Sequence, residues 1–596
     1  MFPVRIFYAP APELIKDAVD FDYTHVVIHS IGHAHRNEKG ISFEMAGKGK
    51  DINDDLPLFF HEYPLLKKER SKIAGERILR VQERINYKIS LAVKLGLKPL
   101  LSIYELSLPY NLQKFYPEFY PGNNNFCMAL PENQKFIEDK IAEVFETFPK
   151  LAGIIFTAKE ATEGQYYMHK CKYCQSFSQA ERLNMLLDAI RKGKDKVKVS
   201  ADIIFRIWGM HFPDIFYRKR IKTLWAWTGK KASLKETVEK CSRLPFEPKK
   251  VLSELANICD KSIFISTKAT WQDFDLMQPE NPWTGCFPRN KEIIEISYEC
   301  YCRPTEKYFL LANQMKRFSD YAHVRKVKGV MALPCAFGFT EVWDEKSRQF
   351  VFSGSNRSGS TYNIHRTNNH SITAFTPFLI SKLISSRSEI NVKDLLIEYL
   401  FRKHGINDGA KLADTLIGME KLAHDIINCN GFSILSPNHY MNDMSLQLEA
   451  YKEHASWSTC TLVDGDKKIL SILKNLPAFF EKKDKLLHKA EANLTELKCY
   501  DETVKKNIFD MYYKTYAGFV DILKLHLYSQ KIALTMWAIE RGNIQATEKV
   551  INFVLNSIRE KEKILLNSVI SEDLKGPSRE DRLYCFKGIQ RYNTLS

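Results

Sequence analysis

Charged side chains recur in this sequence at or just after the ends of four consecutive β-rich segments. The set comprises four carboxylates and three cations: Lys159, Glu160, Glu163, Arg206, Lys268, Asp273 and Glu299. Acid/base hydrolysis of a glycosidic bond needs two carboxyl groups, one that protonates the leaving oxygen and one that activates water or attacks the sugar. Lysine and arginine bind carboxylate and phosphate groups. The set therefore predicts a polar pocket for an anionic, hydroxyl-rich ligand, although each residue alone, Glu160 above all, is also compatible with a solvated surface.

Eight short β-rich segments would position these side chains. They are Val4–Tyr8, Thr24–Ile31, Pro99–Leu106, Gly153–Lys159, Val197–Phe205, Ser262–Thr267, Glu292–Tyr298 and Val327–Leu333. Most are separated by helical patterns, an order typical of an α/β protein with a (β/α)8 TIM barrel, in which sites form at the C-terminal ends of the strands. We assign residues 1–345 to this barrel. An open doubly wound sheet is the alternative, but no Gly-x-Gly-x-x-Gly turn follows the first segment, which disfavours a Rossmann fold.

The pattern becomes helical after the barrel. Residues 346–370 contain a stretch rich in Ser, Asn and Gly, which predicts a connecting loop. Residues 371–596 are then expected to form an all-α C-terminal domain, because long segments with helical periodicity dominate there. These segments are Thr373–Ser385, Val392–His404, Ala410–Ile427, Lys467–Lys483, Val504–Glu540 and Gln545–Leu566.

Composition and charge disfavour several classes of partner. Lys and Arg total 87 against 71 Asp and Glu, so the formal net charge of +16 is spread over 596 residues, and the nearest approach to a basic cluster is Tyr217–Lys222. Nucleic-acid binding, which needs a continuous basic face, is therefore not expected. No apolar segment approaches the ~18 residues of a membrane-spanning helix, so we expect no membrane association. The N-terminal sequence lacks a basic segment followed by a long apolar one, which predicts a cytoplasmic protein.

Two of the thirteen cysteines form a Cys-x-x-Cys motif, Cys171 and Cys174. A structural zinc ion needs four ligands. No second pair with the spacing of a zinc finger follows, although His169 is adjacent and Cys300 and Cys302 lie further along the chain. We therefore expect plain thiols, with a metal site or a redox pair as the alternatives, and we predict no metal ligand and no cofactor.

The stretch from Gly153 to Cys300 carries several motifs of one enzyme family. It resembles glycoside hydrolase family 67, the α-glucuronidases. One family strand ends in Lys-x-x-x-Glu-Gly-Gln, the next carries an Arg flanked by aromatics, and later segments read Lys-x-x-x-x-Asp-Phe, Pro-x-x-Pro-x-x-Gly and Gln-Glu-Tyr. The matching positions are Lys159, Glu163, Gly164, Gln165, Arg206, Lys268, Asp273, Phe274, Pro279, Pro282, Gly285 and Glu299.

The resemblance implies a role for each of the matched charged residues. Glu163 would be the general acid, and Asp273 and Glu299 would share the activation of water in an inverting mechanism. Three cations would hold the carboxylate of a uronic acid: Lys159, Arg206 and Lys268. The substrate would then be an anionic oligosaccharide such as xylan carrying glucuronate, and the C-terminal helical domain would support a homodimer.

The sequence also departs from the family pattern. Tyr166 stands in place of a Pro, Met277 and Gln278 replace Arg-Glu, and Cys300 replaces the Tyr that follows the last Glu. These changes leave two alternatives open beside an α-glucuronidase. One is a glycosidase of different sugar specificity, and the other is a non-catalytic carbohydrate-binding barrel.

Overall fold

The computed structural model of this chain describes most of its predicted elements. The described residues are 2–31, 56–104, 108–109, 111–121, 126–157, 171–207, 248–269, 281, 284–285, 287, 291–297, 310–333, 340–344, 348–353, 375–385, 390–427, 429, 470–498, 506–540 and 542–568.

Eight parallel strands close into a barrel in which each strand pairs with the next, and the eighth pairs with the first. The strands are β1 (Val4–Tyr8), β2 (His25–Ile31), β3 (Lys98–Tyr104), β4 (Gly153–Thr157), β5 (Asp202–Arg206), β6 (Phe264–Lys268), β7 (Lys291–Ser297) and β8 (Gly329–Leu333). Both faces of these strands are covered, which explains why they read as continuous apolar segments rather than alternating ones. The predicted (β/α)8 barrel is confirmed.

Helices surround the barrel and continue beyond it. The described helices are α1 (Pro12–Asp20), α2 (Pro64–Lys94), α3 (Leu112–Phe115), α4 (Pro131–Thr147), α5 (Gln179–Val197), α6 (Pro248–Ile258), α7 (Ala312–Val324), α8 (Phe375–Ser385), α9 (Val392–His404), α10 (Ala410–Ile427), α11 (Leu476–Leu497), α12 (Lys506–Glu540) and α13 (Glu548–Asn567). A 3-10 turn, Pro117–Phe119, follows α3. None of the described helices is long and apolar enough to span a lipid bilayer.

The predicted start of the fifth strand was wrong. Val197 is the last residue of α5, and Lys198 follows it with a left-handed backbone (φ 58°) whose amide donates to the carbonyl of Asp195. This turn ends the helix, so β5 begins only at Asp202 and extends through Arg206. A β-branched residue at the end of an amphipathic helix resembles the start of a strand when local composition is the only guide.

An antiparallel hairpin follows the barrel, formed by β9 (Thr340–Asp344) and β10 (Gln349–Ser353). The sequence analysis did not predict these strands, and the second lies within the segment interpreted as a connecting loop. The hairpin packs near the barrel, because the guanidinium of Arg84 in α2 lies 5.6 Å from the centre of the Phe350 ring.

Helix α8 packs against the first segments of the barrel. The amide of Phe2 donates to the carbonyl of Ile384, and the Tyr23 hydroxyl donates to the carbonyl of Pro377, each at 3.1 Å. The first helix of the predicted C-terminal region therefore packs against the barrel domain.

The remaining helices form the predicted C-terminal helical region. Lys483 of α11 and Gln530 of α12 both donate to the carbonyl of Ile426, at 3.1 and 2.8 Å. These bonds satisfy an acceptor that the C-terminus of α10 leaves without a helical partner. The helix predicted over Lys467–Lys483 instead continues to Leu497, and it begins at Leu476, where the side chain of Asn475 caps its first turn.

Candidate active site

The barrel interior changes from apolar to polar along the strands. Its apolar layer consists of Ile6, Tyr8, Val27, Leu100, Ile155, Ile204, Phe264, Ile293 and Met331. Side chains two residues apart on a strand face the same side. The next inward positions on β3 to β7 therefore carry five buried polar side chains: Ser102, Thr157, Arg206, Ser266 and Glu295. This polar layer lies towards the C-terminal ends of the strands, where barrel enzymes form their sites.

An ion pair dominates the polar layer. Arg206, the last residue of β5, donates to Glu295 of β7 through both Nε and Nη2, and the Nη2–Oε1 distance is 2.6 Å. The two side chains are 3% and 0% exposed. Two parallel hydrogen bonds of this kind fix the plane and direction of the guanidinium.

Lys268 adds a second cation beside this pair. It is the last residue of β6, is 2% exposed, and is the register partner of Glu295 on the neighbouring strand. The chain beyond it is held in place by Asn281, whose side chain donates to the Lys268 carbonyl at 2.9 Å and whose own carbonyl accepts from the Tyr321 hydroxyl at 3.1 Å. The layer thus contains two cations and one carboxylate among its described charged groups.

Two hydroxyl groups flank Arg206. Thr157 on β4 and Ser266 on β6 are its register partners on either side, and both are fully buried. Within the described part of the chain, neither hydroxyl oxygen has a hydrogen-bond partner. Buried polar atoms are nearly always satisfied by protein, water or ligand. These two hydroxyls are therefore suited to contact a polar ligand or ordered water inside the barrel.

Glu292 lies on the outer face of β7, away from this layer. Its carboxylate accepts hydrogen bonds from the amide of Gly285 at 2.8 Å and from the hydroxyl of Thr267 at 3.0 Å. Burial raises its pKa to about 7, although these bonds and the charge of Arg325 act in the opposite direction. Glu292 therefore anchors the connection between β6 and β7 and has no direct place in the interior site.

The structure describes two of the six predicted site residues, Arg206 and Lys268, and brings them into one buried layer. The other four lie outside the described residues: Lys159, Glu163, Asp273 and Glu299. In sequence, the three carboxylates among them follow the ends of β4, β6 and β7 by six, five and two residues. The C-terminal ends of barrel strands lie on one face, so these segments begin from the same face. The roles assigned to the six residues stay predictions.

Sequence reasoning missed the ion-pair partner of Arg206. Glu295 interrupts an otherwise apolar stretch in β7, and a carboxylate at an inward position of a buried strand could have been noticed. The pairing of Glu295 with Arg206 could not have been predicted, since 89 residues separate the two in sequence.

One described cluster could hold a metal ion. Cys127 lies 44 residues before Cys171, yet their sulfur atoms are 3.5 Å apart, and the sulfur of Cys174 lies 3.6 Å from that of Cys171. The expectation of plain thiols was based only on Cys171, Cys174 and residues near them or downstream in the sequence. Cys127 is the ligand candidate that the sequence analysis missed.

Comparison with known proteins identifies the fold. No protein-family model and no curated protein sequence matches this chain. The solved structure of a GH138 enzyme targeting pectin rhamnogalacturonan II matches 100% of this chain and 84% of its own, with a TM-score of 0.57 and 9% identity. A mutant O-GlcNAc hydrolase of Thermobaculum terrenum matches 99% of this chain and 93% of its own, with a TM-score of 0.41 and 10% identity. Both structural neighbours are glycoside hydrolases, and at 9% identity the likeness to the first establishes a shared fold.

Proposed function

We propose that this chain is a glycoside hydrolase that removes a uronic acid from an oligosaccharide, in the manner of an α-glucuronidase. Glu163 donates a proton to the leaving oxygen, and Asp273 and Glu299 activate the attacking water. The segments that contain the three residues begin at the ends of β4, β6 and β7, and these strand ends lie on one face of the barrel.

The buried polar layer is the observation that carries this proposal. Arg206 and Lys268 contribute two cations to this layer, and both side chains are buried. Buried cations of this kind favour a substrate carboxylate, because Coulomb interactions are strongest where the effective dielectric is low. Lys159, which follows β4 in sequence, would add a third cation at the strand ends.

The hydroxyl groups of Thr157 and Ser266 support a sugar ligand as well. They flank Arg206 in the interior and have no partner among the described residues. A sugar ring offers several hydroxyls that both donate and accept hydrogen bonds, and burying such groups is favourable only when they are paired. The shared fold with a GH138 enzyme that targets pectin rhamnogalacturonan II is compatible with this chemistry.

Matched pairs of aryl glycosides test the proposal. Each pair consists of a uronide and the neutral glycoside that has a hydroxymethyl group in place of the carboxylate. The panel covers α- and β-linked glucuronides and galacturonides. We expect the full chain to hydrolyse one uronide with a kcat/KM at least about tenfold above its neutral counterpart, equivalent to about 1.4 kcal/mol. The ratio of kcat/KM for the uronide to kcat/KM for the neutral glycoside should be lower for Lys268→Gln. Unfolding of part of the protein leaves this ratio unchanged, because it lowers both values by the same factor.

Two other results would contradict the proposal: the first its enzymatic part, the second its preference for uronides. If no substrate of the panel is turned over but a free uronate binds in calorimetry, the barrel is a carbohydrate-binding module. If a neutral glycoside is the better substrate and Lys268→Gln leaves the ratio unchanged, the protein is a glycosidase of different specificity.

A further inference from the structure

Three sulfur atoms converge between two loops of the barrel. Cys127 lies between β3 and α4, whereas Cys171 and Cys174 lie between β4 and α5. The Cys171 sulfur is 3.5 Å from that of Cys127 and 3.6 Å from that of Cys174, and all three lie within 4.8 Å of one another. A disulfide would need about 2.0 Å. A tetrahedral zinc ion with bonds of about 2.3 Å holds its sulfur ligands about 3.8 Å apart, which matches the observed spacing.

The backbone around Cys171 is arranged to favour thiolates. The amides of Cys174 and Tyr173 donate to the Cys171 sulfur, and the Cys171 amide donates to the Cys174 sulfur at 3.2 Å. The thiolate is the form of cysteine that binds metal ions.

Cys127 is held in place by a buried amide. The side chain of Asn133, at the start of α4, donates to the Cys127 carbonyl and to the Phe119 carbonyl, each at 2.8 Å. Cys127 therefore occupies a position fixed by α4, and does not depend on Cys171 or Cys174 for it. A preorganised ligand of this kind loses little conformational freedom when an ion binds.

A buried cation balances the charge of such a site. The Nη1 atom of Arg182, in α5, lies 3.8 Å from the Cys174 sulfur, and the Arg182 side chain is buried. One Zn²⁺ and three thiolates carry one net negative charge, which the guanidinium would neutralise. Without this compensation a buried charge is costly.

We propose that Cys127, Cys171 and Cys174 bind a zinc ion that joins the β3–α4 loop to the β4–α5 loop. The three thiolates occupy three positions of a tetrahedral site, and water occupies the fourth. The ion would cross-link two loops on the C-terminal side of the barrel. The proposal is independent of the reaction that the barrel catalyses.

Metal titration of the full chain tests the proposal. Purified protein is stripped with a chelator under reducing conditions and titrated with Co²⁺, which gives intense ultraviolet absorption when thiolates bind it. We expect saturation at one Co²⁺ per chain and loss of the absorption when Zn²⁺ is added. Zn²⁺ should also slow alkylation of the three thiols about tenfold or more, as measured by peptide mapping, because a bound thiolate is shielded from the reagent.

Variants separate this site from other thiols. Cys174→Ser should weaken the Co²⁺ absorption and remove the protection of Cys171, whereas Cys259→Ser, at a cysteine buried just after α6, should change neither. Alkylation at the same rate with and without Zn²⁺ would overturn the proposal. A disulfide between any two of the three cysteines in freshly purified protein would also overturn it. The alkylation experiment uses the unaltered chain, so it is decisive even if Cys174→Ser does not fold.

Discussion

Arg206 and Glu295 form a two-pronged ion pair inside the barrel, with Nη2 of Arg206 2.6 Å from Oε1 of Glu295. The pair links β5 to β7 across the interior and lies next to Lys268 of β6. It lies in the polar layer, which adjoins the apolar layer of the barrel interior. A buried pair of this kind is a poor source of stability compared with apolar residues, but removing one partner is strongly destabilising. We therefore interpret the pair as an interaction that fixes the orientation of the Arg206 guanidinium in the polar layer.

Removing the charge of Glu295 should destabilise the protein substantially. Glu295→Gln leaves the Arg206 guanidinium buried without its carboxylate, which typically costs about 3–5 kcal/mol. The midpoint of urea unfolding should fall accordingly. Glu83→Gln provides a matched control, because Glu83 pairs with Arg80 at the surface, where such pairs contribute about 1 kcal/mol or less. Equal midpoints for the two variants would show that the interior is more polar and hydrated than the packing indicates.

Glu292 should make stability depend on pH. Its pKa is raised to about 7 in the folded protein from 4.5, so the folded state holds a proton that the unfolded state has lost between these values. Stability should therefore fall as pH rises through this window, by on the order of 3 kcal/mol at about 1.4 kcal/mol per pKa unit. Glu292→Gln should remove this component, so its melting temperature relative to the unaltered protein should be higher at pH 8 than at pH 5. A constant difference at both pH values would count against the raised pKa.

Gly153 should tolerate no side chain. A Cβ atom there would lie 2.5 Å from the carbonyl oxygen of Asp202 and 3.0 Å from Cδ2 of Leu100, between β3 and β5. Gly153→Ala should lower the free energy of unfolding by about 1–3 kcal/mol, since the strands must move apart. Gly75→Ala is the control, because among the described residues nothing lies within 4 Å of a Cβ at Gly75 in α2. It should raise stability by about 0.5–1 kcal/mol, and a similar loss in both variants would argue against the tight β3–β4–β5 packing.

Local sequence patterns predicted the repeating architecture well. β1 and the helices α9 and α10 have the predicted bounds, because β-branched composition, helical periodicity and a left-handed Gly405 after α9 are local signals. The same local reasoning failed twice. It predicted a strand from Val197, and it did not detect the hairpin of β9 and β10. A short apolar segment can end a helix or begin a strand, and tertiary packing decides between them.

The site was less accessible to prediction than the fold. Arg206 and Lys268 were predicted because they follow strands, and the barrel brings them together. Their carboxylate neighbour Glu295, and Cys127 beside Cys171, depend on which chain segments the closed barrel makes adjacent. Strand order and register determine such contacts between distant residues. The spacing of residues within a single segment carries no information about either.

The general-acid role of Glu163 is most directly tested by measuring how the effect of Glu163→Gln on kcat/KM depends on the leaving group. For the preferred uronide, kcat/KM should be measured with a poor leaving group, such as a sugar or simple alcohol, and with 2,4-dinitrophenol, which needs no proton to depart. Glu163→Gln should lower the first value about 100-fold or more and the second far less, because only the first reaction needs general-acid catalysis. The neighbouring Glu160→Gln, the control for charge and fold, should lower neither. An equal loss with both leaving groups, or no loss with either, would contradict the assignment of Glu163 as the acid and with it the proposed mechanism.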